Sequence, residues 1–218
     1  MVEVNLLRRY PKSKRDIKKR HKGQTRKNIA ISRRYAKEYF DGSRDVGYGG
    51  YHYDGRWIPI AEDIVEHFGL KAGDRVLDVG CAKGFLVKDL KIVCPGLEAF
   101  GLDISDYALR HCEPEVVGRL HLGTADSLPF PDRSFQAVIS INTVHNLERR
   151  RCVQAVREIE RLAPGRGYIQ VDSYRTVEEK EIFLDWVLTA KTHYDPAGWN
   201  KLFTEAGYTG DYYWTITE

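Results

Sequence analysis

From residue 59 onward, the period of the apolar positions alternates between that of helices and that of strands. Pro59 opens a stretch in which Ala61, Ile64, Val65 and Phe68 fall at i, i+3, i+4 and i+7, with Gly69 as a stop. That spacing predicts an amphipathic helix. Val76 and Leu77 then read as a buried strand over Arg75 to Val79, Gly80 to Gly84 as a tight turn, and Phe85, Leu86, Leu90 and Val93 as a helix ending at Pro95-Gly96. Further strands are expected at Ala99 to Ser105, Ala137 to Ile141, Tyr168 to Tyr174 and from Asp211 to the end of the chain. Between them, Cys152, Ala155, Val156, Ile159, Leu162 and Ala163 share a helix face, Phe183, Trp186, Val187 and Ala190 mark a second helix, and Asp195-Pro196 caps a third that Gly207 stops. Strands alternating with helices predict an α/β domain.

The first 57 residues lack this regularity. Residues 1 to about 28 show little apolar periodicity and dense like charge, so they are expected to be loosely ordered until bound. A helix is plausible from Ile29 to Phe40. Asp41 to Trp57 then places five glycines and four large aromatics in 17 residues, which no regular helix accommodates. The chain therefore divides into a basic arm (1–34), a glycine- and aromatic-rich segment (35–57) and an α/β domain (58–218).

Composition narrows the class. The 218 residues suffice for one α/β domain with an appendage. No apolar run approaches the roughly 18 residues of a membrane span, and the start of the chain has no apolar core of a secretion signal. Cys81, Cys94, Cys112 and Cys152 are scattered, which suggests neither a zinc ribbon nor a disulfide framework and is read as reduced thiols in a cytoplasmic protein. The net charge of +3 conceals an asymmetry: Arg8 to Arg34 holds 13 Lys and Arg against the single acid Asp16, and acids are in excess elsewhere. Such an arm can meet nucleic acid or phosphorylated metabolites, or it can pack on the acidic body.

Candidate chemistry gathers at the strand–turn–helix corner. Glycines let a backbone approach a ligand closely, and the helix that follows presents unpaired N–H groups. Asp78, at the strand's end, adds a carboxylate that can accept from an ammonium or a hydroxyl. The loop Gly80-Cys81-Ala82-Lys83-Gly84-Phe85 lacks the glycine spacing G-x-G-x-x-G of dinucleotide sites. Asp103 lies 25 residues beyond Asp78, at the end of the next strand, where an acid can take both hydroxyls of a ribose.

The string Asp78-Val-Gly80-Cys-Ala-Lys-Gly84 instead resembles the first motif of class I S-adenosylmethionine-dependent methyltransferases, with Ala82 in place of the middle glycine. The run His121 to Ser140, through Ala125-Asp126-Ser-Leu-Pro-Phe and Ser134-Phe135, resembles that family's next motif, with Gln136 where aspartate is usual. The resemblance implies an α/β, Rossmann-like doubly wound sheet of about seven strands, the last antiparallel, with helices on both faces and Leu188 to His193 a candidate for part of the missing strand. It implies S-adenosylmethionine as cofactor, held by Asp78, Gly80, Cys81, Ala82, Gly84, Asp103, Ile104, Ala125, Asp126 and Asn142. Asp126 and Ala125 inherit by position the contacts to adenine.

The strand Ala137 to Ile141 ends in Asn142-Thr-Val-His145, at the edge where a doubly wound sheet places its chemistry. His145 is the general-base candidate, with cofactor stacking or loop ordering as its other roles. Tyr48, Tyr51 and Asp172 are acceptor-side candidates, Arg44 and Arg56 offer forks for carboxylate or phosphate, and the 35–57 segment suits a lid. No metal-ligand cluster is visible, so a metal-dependent, catechol-type mechanism is not expected. The expectation is methyl transfer to O or N of a small polar acceptor, such as a sugar or nucleotide-linked sugar. The alternatives are an RNA methyltransferase gripping phosphates through residues 8–34 and a non-catalytic adaptor that binds cofactor or nucleic acid.

Overall fold

The computed structural model describes residues 1–11 and 16–217. Lys12, Ser13, Lys14 and Arg15 of the basic arm, and Glu218, lie outside the described residues. In chain order the elements are α1 (Ile17–Gly23), α2 (Arg26–Ser32), α3 (Lys37–Asp41), α4 (Ile58–Phe68), β1 (Arg75–Val79), α5 (Phe85–Val93), β2 (Glu98–Asp103), α6 (Asp106–Arg110), β3 (Leu120–Leu122), β4 (Ala137–Ile141), α7 (Arg149–Leu162), β5 (Gly167–Ser173), α8 (Val177–Trp186), α9 (Pro196–Ala206) and β6 (Asp211–Ile216). The strands form one sheet in the order β3-β2-β1-β4-β5-β6, every neighbouring pair parallel. The order reverses between β1 and β4, which opens a crevice at their carboxyl ends.

Alternation along the strands sorts the two faces of the sheet. Val76, Ala99, Ile139 and Tyr168 pack with Ile60 and Ile64 of α4 and Leu86 and Leu90 of α5. Leu77, Val79, Leu102, Val138 and Ile169 pack on the other face with Val156 and Ile159 of α7 and Trp199 and Phe203 of α9. Helix ends follow their signals: Gly69 and Gly207 close α4 and α9 in left-handed geometry, and the Asp195 side chain accepts from Gly198 N–H at 2.7 Å to start α9. Gln136, where aspartate was usual, accepts from Arg75 N–H at 2.7 Å and so ties the head of β4 to β1.

The α/β class holds, with differences at the far edge. Six strands are present among the described residues, not seven, and β6 runs parallel to β5 through Tyr168–Asp211 to Ser173–Ile216. Residues 188–193 are not a strand, because their polar groups are engaged elsewhere: Lys191 and Thr192 N–H both donate to the His145 carbonyl, and Thr192 Oγ1 donates to that of Leu147. The outer edge of β6 is met instead by the chain's first residues. Val4 N–H donates to Tyr212 O, and Tyr212 N–H to Val2 O.

Residues 1–11, expected to be loosely ordered, pack on the body. Leu6 is buried, its N–H donates to the Tyr168 hydroxyl, and that hydroxyl donates to Val4 O. Arg8 and Arg9 close on the buried Asp63 of α4 at 3.0 and 2.9 Å. The expected helix from Ile29 to Phe40 is two helices, α2 and α3, parted where Tyr35 takes a positive φ of 50°. Likewise α8 stops at Trp186, and Val187 is extended. Among the described residues no helix is long and apolar enough to cross a membrane.

Candidate active site

The corner after β1 is built as its glycines require. Gly80 has φ 86°, and a Cβ there would lie 2.0 Å from Thr143 Oγ1 in the turn after β4, so only glycine lets the two turns meet. Ala82 occupies the middle position of the loop with φ 50°, the left-handed geometry that a glycine adopts without strain. Its N–H donates to one Asp103 oxygen at 2.8 Å, while Ser105 N–H donates to the other at 2.7 Å. Asp103 is thereby fixed at the end of β2 with lone pairs on both oxygens still available. Burial raises its carboxyl above the ordinary range.

A cavity of about 130 Å³ opens over this corner. Gly80, Ala82, Asp103, Ile104, Ala125 and Asn142, all expected at the cofactor, line it. The four others expected there stand outside its wall. Asp78 is buried, and burial followed by the nearby Asp103 pushes its carboxyl up to about 7. Cys81 turns its sulfur beneath the loop toward Gly101, where an added Cβ would come within 2.6 Å of it; burial pushes the thiol well above its ordinary value. Gly84 serves as the N-cap of α5. The Asp126 carboxylate is held by the Arg151 guanidinium at 2.6 and 2.9 Å, which lowers its pKa.

Several lining residues were not singled out in the sequence. Tyr35, Tyr39 and Phe40 reach the cavity because α3 folds back over the corner, and Thr143, Asn146 and Leu147 come from the turn after β4. The segment 35–57 is tied down by an internal cation. Lys83, buried within the glycine loop, donates to both Asp41 oxygens at 2.9 and 2.8 Å and to Tyr51 O at 2.9 Å, and Tyr107 Oη donates to Asp41 as well.

A second cavity, about 190 Å³, adjoins the first and shares Tyr39, Tyr48 and Asn142 with it. His145 and Asp172 line it, together with Arg20, Arg44 and Trp186. Tyr48 lines both cavities. Tyr51 lines neither; its ring stacks on Phe85 at 4.6 Å. Arg56 is also remote, paired with Asp54. His145 is buried, and its Nδ1 accepts from Asp172 N–H at 3.2 Å. Burial lowers its pKa, so near neutral pH the ring is uncharged and carries its proton on Nε2. Arg20 was one cation among 13 in the arm, and only the docking of α1 on α8 singles it out.

The residues fit S-adenosylmethionine. The fixed Asp103 carboxylate suits a ribose, the glycine cradle admits close backbone contact, and Leu102, Ile104 and Leu147 offer an apolar slot.

Comparison with known proteins agrees. Residues 77–171 match the family model described as a methyltransferase domain. The chain is 30% identical over 151 residues to the demethylmenaquinone methyltransferase of Thermotoga maritima, covering 68% of this chain and 62% of that one. It is 26% identical over 163 residues to the human probable tRNA methyltransferase 9B, covering 71% of this chain and 32% of the relative. The chain thus spans less than two thirds of the length of either. Among solved structures, the YcgJ protein of Bacillus subtilis superimposes with TM-score 0.53 at 21% identity, over 67% of this chain and 66% of that one. The Haloferax volcanii protein solved in complex with the Trm112 methyltransferase activator gives TM-score 0.51 at 21% identity, over 71% and 73%. The glycine corner and the fixed Asp103 both fall within residues 77–171, the stretch that matches the methyltransferase domain, on a fold shared with these solved structures.

Proposed function

We propose that this protein transfers a methyl group from S-adenosylmethionine to an oxygen or nitrogen of a small polar acceptor, of which a sugar or nucleotide-linked sugar is an example. The observation that carries the reading is the pair of adjoining cavities with Tyr39, Tyr48 and Asn142 as common wall, one over the glycine corner and one lined by polar groups. The bound cofactor supplies an electrophilic methyl group. The chain's contribution is to hold the acceptor in line with it, since positioning alone removes much of such a barrier.

His145 suits a positioning role better than that of a base. Its Nδ1 is engaged by Asp172 N–H, so the neutral ring offers the second cavity a donor at Nε2 rather than a lone pair. Asp172 supplies a carboxylate on the same wall for an acceptor hydroxyl or amine. The segment 35–57 acts as a lid whose closed position is set by Lys83 and Asp41.

The test is calorimetric titration with S-adenosylmethionine of the wild type and of Asp103→Ala. Binding in the wild type and its loss in the variant, by at least about tenfold for a buried carboxylate bonded to hydroxyls, is the expected pair of results. Unchanged affinity in the variant would remove the ribose assignment. Failure of the wild type to bind would remove methyl transfer.

A further inference from the structure

Two cations, Arg20 and Arg44, line the second cavity beside one carboxylate, that of Asp172. Arg20, on α1, places its guanidinium 4.8 Å over the Trp186 ring and donates to Arg44 O at 2.7 Å and to Gly47 O at 3.5 Å. Arg44 donates to Tyr48 O at 2.7 Å. Carbonyls and an aromatic face orient these groups without cancelling their charge. Among the described residues neither arginine forms an ion pair with a carboxylate, and the nearby Asp45 accepts from Ser43 Oγ instead. Burial, and then the neighbouring Arg44, lowers the Arg20 pKa, against the opposing pull of Tyr39 and Asp45. Among the described residues that line the cavity, the two guanidiniums outnumber the single Asp172 carboxylate.

We infer that the acceptor carries a phosphate group, and that Arg20 and Arg44 form the subsite that binds it. The inference rests on the cofactor-plus-acceptor reading of the two cavities and narrows the acceptor's class. Two guanidinium forks can together bond all three terminal oxygens of a phosphate monoester, whereas a carboxylate offers two oxygens, enough for one fork. The cavity's volume, about 190 Å³, lies below the roughly 300–1,000 Å³ of clefts for drug-sized ligands. It suits a phosphorylated small molecule rather than a polymer.

The placement also orients the acceptor. Arg20 and Trp186 enter from α1 and the end of α8, while His145 and Asn142 belong to the turn after β4, where the two cavities meet. Phosphate held at the arginines leaves the nucleophile to point toward that turn. The basic arm thereby acquires an inward function. His21 pairs with Asp185 at 2.7 Å, and Gln24 Nε2 donates to Leu184 O and Val187 O, which holds α1 against α8 and presents Arg20 to the cavity.

Inorganic phosphate and acetate are the probes, titrated calorimetrically into the wild type and into Arg20→Gln and Arg44→Gln with S-adenosylhomocysteine present. The expected result is phosphate binding in the wild type, acetate binding weaker, and a loss of about tenfold or more in each variant, the size of one charge-assisted hydrogen bond. Cofactor affinity should be unchanged in both, because neither arginine lines the cofactor cavity. Arg44 is exposed, so its replacement tests the subsite even where loss of Arg20 undoes the docking of α1. No phosphate binding by the wild type, equal binding by both variants, or acetate binding as tightly as phosphate would each overturn the inference. Displacement of phosphate by a short single-stranded oligonucleotide at lower concentration than by a sugar phosphate would do so too, assigning the arginines to a polymer backbone. Failure of the cofactor to bind would instead count against methyl transfer and leave the phosphate titration readable.

Discussion

Two residues of the glycine corner carry measurable consequences of where they sit. Burial, and then Asp103, push the Asp78 carboxyl up to about 7, against about 3.9 in an unfolded chain. The folded state therefore binds this proton more tightly than the unfolded state. The stability so conferred is complete below about pH 4 and disappears as the pH rises through about 7. Thermal melts of the cofactor-free protein should fall in midpoint from about pH 5 to about pH 8, and Asp78→Asn should flatten that fall; an equal slope in the variant would assign it to other groups. Ala82 tests strain at the same corner. A left-handed alanine costs about 1–2 kcal/mol relative to the right-handed region, and glycine there costs roughly 0.5–1 kcal/mol in chain entropy. Ala82→Gly should leave stability level or raise it by up to about 1.5 kcal/mol, read as the shift in denaturant midpoint. A clear loss would mean that the alanine methyl's contacts outweigh the strain.

At the scale of elements, a shielded ion pair joins segment 35–57 to the glycine loop, beside the Tyr51–Phe85 stack and the packing of Phe40 on Ala82 and Ala108. Lys83 and Asp41 are mostly shielded, with side-chain exposures of 8% and 18%. Removing the carboxylate strands a buried ammonium, which costs about 3–5 kcal/mol in comparable sites. Asp41→Ala should therefore free the segment to limited proteolysis near the Gly49-Gly50 turn, while Lys83→Met, which removes the stranded charge, should do so less. Burial alone would raise the Asp41 pKa, but hydrogen bonds from Lys83, Tyr51 N–H and Tyr107 outweigh it and hold it down to about 2. The latch is thus complete above about pH 4 and is lost as pH falls through about 2. This element also marks the limit of what the sequence discloses. β1, its glycine turn and α5 are legible because their apolar period, their glycines and their order in the chain are local properties. The latch joins Asp41 to Lys83 across 42 positions, and nothing in either neighbourhood indicates the other. The same holds for Leu6 and Tyr168, 162 positions apart, which is why residues 1–11 read as loose when they are packed. The sixth strand's direction was equally hidden, since a strand reads the same whether parallel or antiparallel, and only the chain's return path fixes it.

For the whole molecule, the question is which way the basic arm faces. Its charge admitted both a grip on nucleic acid and a wall of the protein's own site. The described residues divide between these roles: Arg8 and Arg9 face Asp63, Arg20 faces the second cavity, and Lys18, Lys22 and Lys27 are exposed. Reversing the three exposed charges with Lys18→Glu, Lys22→Glu and Lys27→Glu changes the protein's charge by about six units without touching either cavity. A phosphate-tracking arm would lose oligonucleotide affinity steeply, with a flatter salt dependence, because each released counter-ion contributes to the slope. An arm that serves as a wall should retain its turnover of a phosphorylated small acceptor within about twofold, since exposed substitutions away from a site usually change stability by under about 0.5 kcal/mol. The same triple variant assayed on both substrate classes separates the two. Retained turnover of the small acceptor, with oligonucleotide binding absent in wild type and variant alike, is the outcome expected from the inward Arg20. A large fall in turnover on RNA alone would show that the outer face of α1 and α2, rather than the cavity behind it, selects the substrate.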